Sequence, residues 1–169
     1  MARIAGCSVE ADDASLSMAE KRSGVLNRTR ILANSKPIAR GVAMLQDSID
    51  ESESVDALTR YIVILAAVRR SPYETDRHVP LALDAGLDED MVEAFEEEDW
   101  THPGFTDAQR AAFRYAMLLE AGYGVQTEEF EELRRHFSAQ QIVEVSAIAC
   151  FHGMLARLAI ALAFDSEAA

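Results

Sequence analysis

Residues 145–164, VSAIACFHGMLARLAIALAF, form an apolar run that constrains the fold more than any other segment. A helix of this length can cross a bilayer. His152 and Arg157 lie inside the run, and an arginine in hydrocarbon costs about 2.5–3.5 kcal/mol. A helix that is apolar on all sides in a soluble protein is buried in a core or at a subunit contact. The sequence therefore predicts a central core helix and no membrane span.

The rest of the chain contains few residues that would interrupt helices. Its 169 residues include only 8 Gly and 4 Pro, and apolar residues recur at helical spacing after residue 24. The pattern predicts an all-α bundle of seven or eight helices and no strands. The predicted helices are 25–33, 37–49, 55–69, 73–85, a short helix after Asp88, 107–121, 128–137 and 139–164.

Domain organisation follows from the same pattern. A single helical domain is predicted over 25–164, and 165–169 is a short tail. Residues 1–24 are predicted to be an N-terminal extension with partial disorder. They contain acidic residues and no apolar segment typical of a signal peptide, so a cytoplasmic protein is expected.

Several helix starts carry capping signals. Thr106 with Gln109 and Ser138 with Gln141 have the spacing of a capping box. Thr127 is predicted to cap the helix between them, because a threonine there precedes an acidic first turn.

Charge and cysteine content exclude several functions. The net charge of −13 argues against nucleic acid or an anionic membrane surface as a partner. Cys7 and Cys150 are far apart and lack the spacing of metal ligands, so no disulfide, metal site or cofactor is predicted. Cys150 has apolar neighbours in the sequence and is expected to be unreactive.

The segment 71–87, SPYETDRHVPLALDAGL, contains the residues most suited to chemistry. Glu74 and His78 are four apart on a predicted helix, so their side chains can meet. A carboxylate beside an imidazole fixes its tautomer and raises its basicity, as a proton-transfer histidine requires. The same spacing also occurs on solvated helix faces, and the spacing alone leaves both readings open.

This segment resembles the core motif of the carboxymuconolactone decarboxylase and alkylhydroperoxidase-like family. The family pattern has an apolar helix, a kink, Tyr-Glu, a histidine four residues later and an ending like ALDAGL. The later segments FTDAQRAAFRYAMLLEAG and HFSAQQIVEVSAIACFHGMLARLAIAL also resemble that family in order, so the likeness covers about residues 25–164. It implies an alkylhydroperoxidase-like helical bundle that assembles as a homo-oligomer, a trimer or a hexamer.

The chain departs from the peroxidase members of that family. Where they have a Cys-x-x-Cys pair this chain has Ser71 and Glu74, and where they have an upstream glutamate it has Thr59. Only the histidine is kept, as His78. Peroxide reduction needs one thiolate to attack and a second thiol to resolve the product. A thiol-dependent hydroperoxide reductase is therefore the least favoured function.

The resemblance is closer to the non-redox, decarboxylase-like branch. It implies a cofactor-free lyase, decarboxylase or isomerase acting on a small carboxylated or carbonyl compound, with His78 as the acid/base and Glu74 orienting it. Tyr73 and Ser71 are predicted to contact the substrate. A family member without catalysis, acting as a binding or structural protein, is the alternative.

Two further residues are predicted to bind substrate. His152 would be a second polar group of the site, although a histidine on an apolar helix is often a core residue instead. Arg157 would pair with a substrate carboxylate, or alternatively form a buried ion pair at a subunit contact.

Overall fold

The structure is a computed structural model that describes residues 2–122 and 124–167. These residues form nine α-helices and one 3-10 helix and contain no strand. The prediction of an all-α bundle is confirmed, and α2–α9 are the eight helices within 25–164. The elements are α1 Met18–Ser23, α2 Asn27–Leu32, the 3-10 helix Ala33–Ser35, α3 Lys36–Asp50, α4 Ala57–Val68, α5 Pro72–Asp84, α6 Glu89–Glu96, α7 Asp107–Ala121, α8 Thr127–His136 and α9 Ala139–Leu162.

The chain divides into two compact units. The first comprises Met1–Ser52 and Leu158–Ala169, and the second comprises Glu53–Arg157. The single domain predicted over 25–164 includes residues of both units and remains a prediction.

In the first unit, the described part of the predicted extension 1–24 contains ordered secondary structure. Helix α1 begins at a capping box in which Ser17 and Glu20 satisfy each other's backbone amides. Glu20 is only 5% exposed and also accepts hydrogen bonds from the Leu26 amide at 3.2 Å and the Thr29 hydroxyl at 2.5 Å. This carboxylate therefore ties α1 to α2.

The second unit has α4 at its centre. Residues 62–68 of α4 are all buried, and α4 packs against α5 and α7, while α7 packs against α8. The rings of Phe95, Phe105 and Phe113 extend this core. Phe105 meets the other two edge to face, with ring centroids 5.8 Å from Phe95 and 5.6 Å from Phe113. The continuous apolar run of α4 is explained by this burial on all sides.

Arg69, the C-cap of α4, links three elements of the second unit. Its guanidinium is 4% exposed and donates to Glu98 at 2.9 Å, to Glu120 at 3.1 Å and to the Ala66 carbonyl at 2.7 Å. A cation is favourable at a helix C-terminus, where unpaired carbonyls carry partial negative charge. Arg69 thus stabilises the end of α4 immediately before the start of α5.

Two of the three predicted capping signals are confirmed. Thr106 with Gln109, and Ser138 with Gln141, make both hydrogen bonds of a capping box. The prediction for Thr127 is wrong, because the N-cap of α8 is Gln126 and Thr127 is already helical. The error arose from the side-chain preference for threonine, which does not determine where the backbone turns.

Helix α9 is the long apolar helix predicted at 139–164. It is long and apolar enough to cross a membrane, and half of its most apolar window is buried in the structure. Length and composition alone do not distinguish a core helix from a span, whereas this burial agrees with the predicted core position. Cys150 is exposed on α9, whereas the prediction that it is unreactive assumed apolar surroundings.

Candidate active site

Helix α5 positions Glu74 and His78. Pro72 occupies the first turn, where its missing amide hydrogen costs nothing, and Ser71 is the extended N-cap residue. Glu74 is 0% exposed and His78 is 6% exposed. The distance from His78 Nε2 to Glu74 Oε2 is 3.4 Å, so the predicted i,i+4 pair is present and buried. Glu74 and His78 therefore do not lie on a solvated helix face, which was the other interpretation of their spacing.

His152 of α9 joins this pair. It is 2% exposed, and its ring meets the ring of His78 edge to face with centroids 4.9 Å apart. One potential ligand atom from each of Glu74, His78 and His152 lies within 4.8 Å of the others. We call these three residues the buried triad. His152 therefore lies against His78, while its role as a polar group of the site remains a prediction.

The chain contains a second Glu–His pair with the same spacing, and it differs in burial. His136 Nε2 is 3.2 Å from Glu132 Oε1 on α8, and these side chains are 25% and 41% exposed. A solvated pair of this kind contributes little to stability and has no desolvated site around it. The two pairs therefore provide an internal comparison in which helical spacing is constant and burial changes.

Ser71 and Tyr73 precede Glu74 in the sequence, at the start of α5. Both are buried, at 1% and 7% exposure. Ser71 is one turn before Glu74, and its hydroxyl makes no hydrogen bond with the described residues. A buried hydroxyl in this state has free capacity to bind a ligand. Tyr73 is adjacent to Glu74, so its side chain points about 100° around the helix from it.

Arg157 is not part of this cluster. Its side chain is 55% exposed, and Nη2 donates to the carbonyl oxygen of Glu120 at 2.6 Å, at the end of α7. This contact caps a helix C-terminus, which is a structural use of the guanidinium.

Cys150 is two residues before His152, hence on roughly the opposite side of α9.

An open groove of about 560 Å³ lies elsewhere in the second unit, along α7 and α8. Arg114 stacks over the Trp100 ring at 4.8 Å and pairs with Glu129 at 2.8 Å. None of the triad residues lines it. The residues that line it are Trp100, Asp107, Arg110, Ala111, Arg114, Tyr115, Thr127, Glu128, Glu129, Glu131, Glu132 and Arg135.

Solved structures with the same architecture share little sequence with this chain. A variant of the debrominase Bmp8 in complex with 2,3,4-tribromopyrrole has a TM-score of 0.80 at 19% identity, over 96% of this chain and 91% of that one. The alkylhydroperoxidase AhpD core of an uncharacterized peroxidase-related protein from Ralstonia eutropha JMP134 has a TM-score of 0.77 at 18% identity, over 98% and 92%. The chain has the alkylhydroperoxidase-like fold. An uncharacterized peroxidase-related protein from Silicibacter sp. TM1040 is also similar, with a TM-score of 0.72 at 19% identity over 88% and 80%.

Comparisons of the sequence with family models and with curated proteins give no match. The alkylhydroperoxidase-like fold is therefore carried here by a sequence in which Ser71 and Glu74 precede His78. Because neither serine nor glutamate can be oxidised as a thiol is, the triad offers acid, base and ligand chemistry.

Proposed function

We propose that this protein is a lyase or isomerase that acts on a small carboxylated or carbonyl compound without a cofactor, with His78 as its acid/base. The observation that carries the proposal is the burial of the His78–Glu74 pair, whose facing atoms are 3.4 Å apart. A carboxylate in contact with one ring nitrogen orients the imidazole and stabilises its protonated form.

Decarboxylation illustrates the chemistry that these residues can support. Loss of carbon dioxide leaves an electron pair delocalised as a dienolate, and a proton must then be delivered to carbon. His78 would donate that proton, and Glu74 would hold the imidazolium in place. A buried site also disfavours the localised charge of the substrate carboxylate relative to the delocalised product anion.

Ser71, Tyr73 and His152 are proposed to bind the substrate. Ser71 has a buried hydroxyl at the start of the helix that carries the pair, and Tyr73 could donate a hydrogen bond to a developing oxyanion. His152 lies against the ring of His78. The sequence-based role of Arg157 as a substrate ligand receives no support from its contact with Glu120, so it is not part of this proposal.

A binding or structural role without catalysis is the second candidate. It is favoured by Thr59, a buried residue that replaces a glutamate of the peroxidase relatives.

The protein is further proposed to be cytoplasmic and to form a homo-oligomer, a trimer or a hexamer. Exposed apolar side chains on α9, such as Val143 at 68% and Met154 at 37%, are consistent with a subunit contact.

The test compares wild type, His78→Gln and His136→Gln on a panel of small unsaturated lactone acids and β-keto acids. Carbon dioxide release and mass spectrometry of the products are measured. We expect turnover by wild type and by His136→Gln, and a loss of at least about 100-fold in His78→Gln. If no compound is turned over, while one of them raises the melting temperature of wild type but not of folded His78→Gln, the binding role replaces the enzymatic one.

A further inference from the structure

The buried triad consists of three residue types that bind transition metals. Imidazole nitrogen and carboxylate oxygen are the donors of many zinc and iron sites with two histidines and one acid. Glu74 and His78 come from α5, and His152 comes from α9. All three are buried, whereas a chance group of surface acids and histidines is exposed to water.

The spacing of the donor atoms fits one ion. Atoms bound to a common ion at about 2.0–2.2 Å lie roughly 3–3.5 Å from each other. The His78 Nε2 to Glu74 Oε2 distance of 3.4 Å is already in this range. Separations in the triad do not exceed 4.8 Å. Closing a 4.8 Å separation to about 3.4 Å would move each of the two atoms by about 0.7 Å.

We propose that Glu74, His78 and His152 bind one divalent transition-metal ion, such as Zn²⁺. Nitrogen donors favour Zn²⁺ and its first-row neighbours over Mg²⁺ and Ca²⁺, which prefer oxygen ligands. Three protein ligands leave at least one coordination position open for water or another small ligand. The single carboxylate leaves a net positive charge on the loaded site, which favours an anion in that position.

Metal binding and proton transfer by His78 compete for the same residue. A metal-bound nitrogen has no free electron pair, so it cannot accept a proton. The metal-bound state therefore blocks the acid/base role of His78 and acts as an inhibited state of that activity. The binding proposal itself does not rest on the proposed function, because ligand type, burial and spacing alone support it.

The first experiment titrates Zn²⁺ into metal-free protein without a polyhistidine tag. Calorimetry gives affinity, and elemental analysis after desalting gives the metal content. We expect one Zn²⁺ per chain in wild type and in His136→Gln. Glu74→Gln, His78→Gln and His152→Gln should each bind at least about tenfold more weakly. Retention of wild-type affinity by the folded triad variants, or an equal loss in His136→Gln, would overturn the proposal.

A second measurement needs no triad variant. The chain has four histidines, so wild-type protein labelled with ¹⁵N-histidine gives four sets of ring signals. His102→Gln and His136→Gln identify the signals of the two histidines outside the triad. Zn²⁺ should shift the signals of His78 and His152, whereas Mg²⁺ should leave all four unchanged. Shifts confined to His102 and His136 would overturn the proposal.

Turnover assays then separate the inhibitory effect of the bound metal from the proposed acid/base function of His78. If wild type is active, Zn²⁺ should abolish activity at the same one-to-one ratio that the titration gives. Undiminished turnover by fully loaded protein would overturn the inhibitory role. Absence of turnover in metal-free protein would instead count against the proposed function, and the binding results would stand.

Discussion

At the scale of single residues, the two Glu–His pairs show how burial changes the meaning of one spacing. Glu74–His78 and Glu132–His136 are both i,i+4 pairs with contacts of 3.4 Å and 3.2 Å. Removing one partner from the surface pair exposes the other to water, which replaces the lost interaction. Removing His78 leaves a fully buried carboxylate with one contact fewer, and desolvation makes this costly.

We therefore predict that His78→Gln lowers the free energy of unfolding by about 1–3 kcal/mol, whereas His136→Gln changes it by less than about 0.5 kcal/mol. Urea denaturation monitored by circular dichroism measures both. Equal effects of the two substitutions would show that burial does not distinguish these pairs.

Glu98 is a residue whose charge state depends on its contacts. Hydrogen bonds from Arg69 are the main cause that holds its pKa below the ordinary value of 4.5, with a further contribution from Arg70. Because the folded pKa is depressed, the stabilisation is fully present above 4.5 and is lost as pH falls through the folded pKa.

We predict that Glu98→Gln lowers the melting temperature at neutral pH, and that its difference from wild type shrinks as the pH is lowered below 4.5. Thermal melts across this range measure the difference. Glu97→Gln, at an exposed neighbouring position, is the control and should show no such trend. A constant difference for Glu98→Gln at all pH values would contradict the role of Arg69.

At the scale of elements, helix starts were predicted best where two side chains act together. The capping boxes at Thr106 and Ser138 use a pair of residues, and both are present. The single-residue signal at Thr127 was misplaced by one position. A similar box at Ser17 and Glu20 starts α1, a helix that was not among those predicted.

Glu20 is predicted to stabilise the α1–α2 region of the first unit. Glu20→Gln keeps its size but replaces an acceptor with an amide group, which opposes the donors of Ser17, Leu26 and Thr29. We expect a loss of about 1–3 kcal/mol in stability and faster amide hydrogen exchange in α1. Lys21→Gln, on the same helix and exposed, should change neither. Unaltered exchange in Glu20→Gln would contradict this account.

At the scale of the whole molecule, α9 presents apolar side chains to solvent as well as to the core. Only half of its most apolar window is buried. Exposed apolar surface of this kind favours association between copies of a chain. The amount exposed does not by itself select a trimer over a hexamer.

We predict that Val143→Lys lowers the oligomeric state, because a charge would be placed within an apolar contact. Light scattering coupled to size-exclusion chromatography gives the mass of each species. Gln140→Lys, one turn earlier and also exposed, is the matched control and should behave like wild type. A monomeric wild type, or the same mass for wild type and Val143→Lys, would argue against a contact at this position.

The sequence by itself determined the helical class, most helix boundaries and the Glu74–His78 pair. These features depend on neighbours within a few turns, which the order of residues specifies directly. Tertiary structure alone decided that this pair is buried, that His152 meets it and that Arg157 instead contacts the end of α7. Burial and contacts between α5 and α9 depend on how distant segments pack, and helical periodicity carries no information about the distance between two helices.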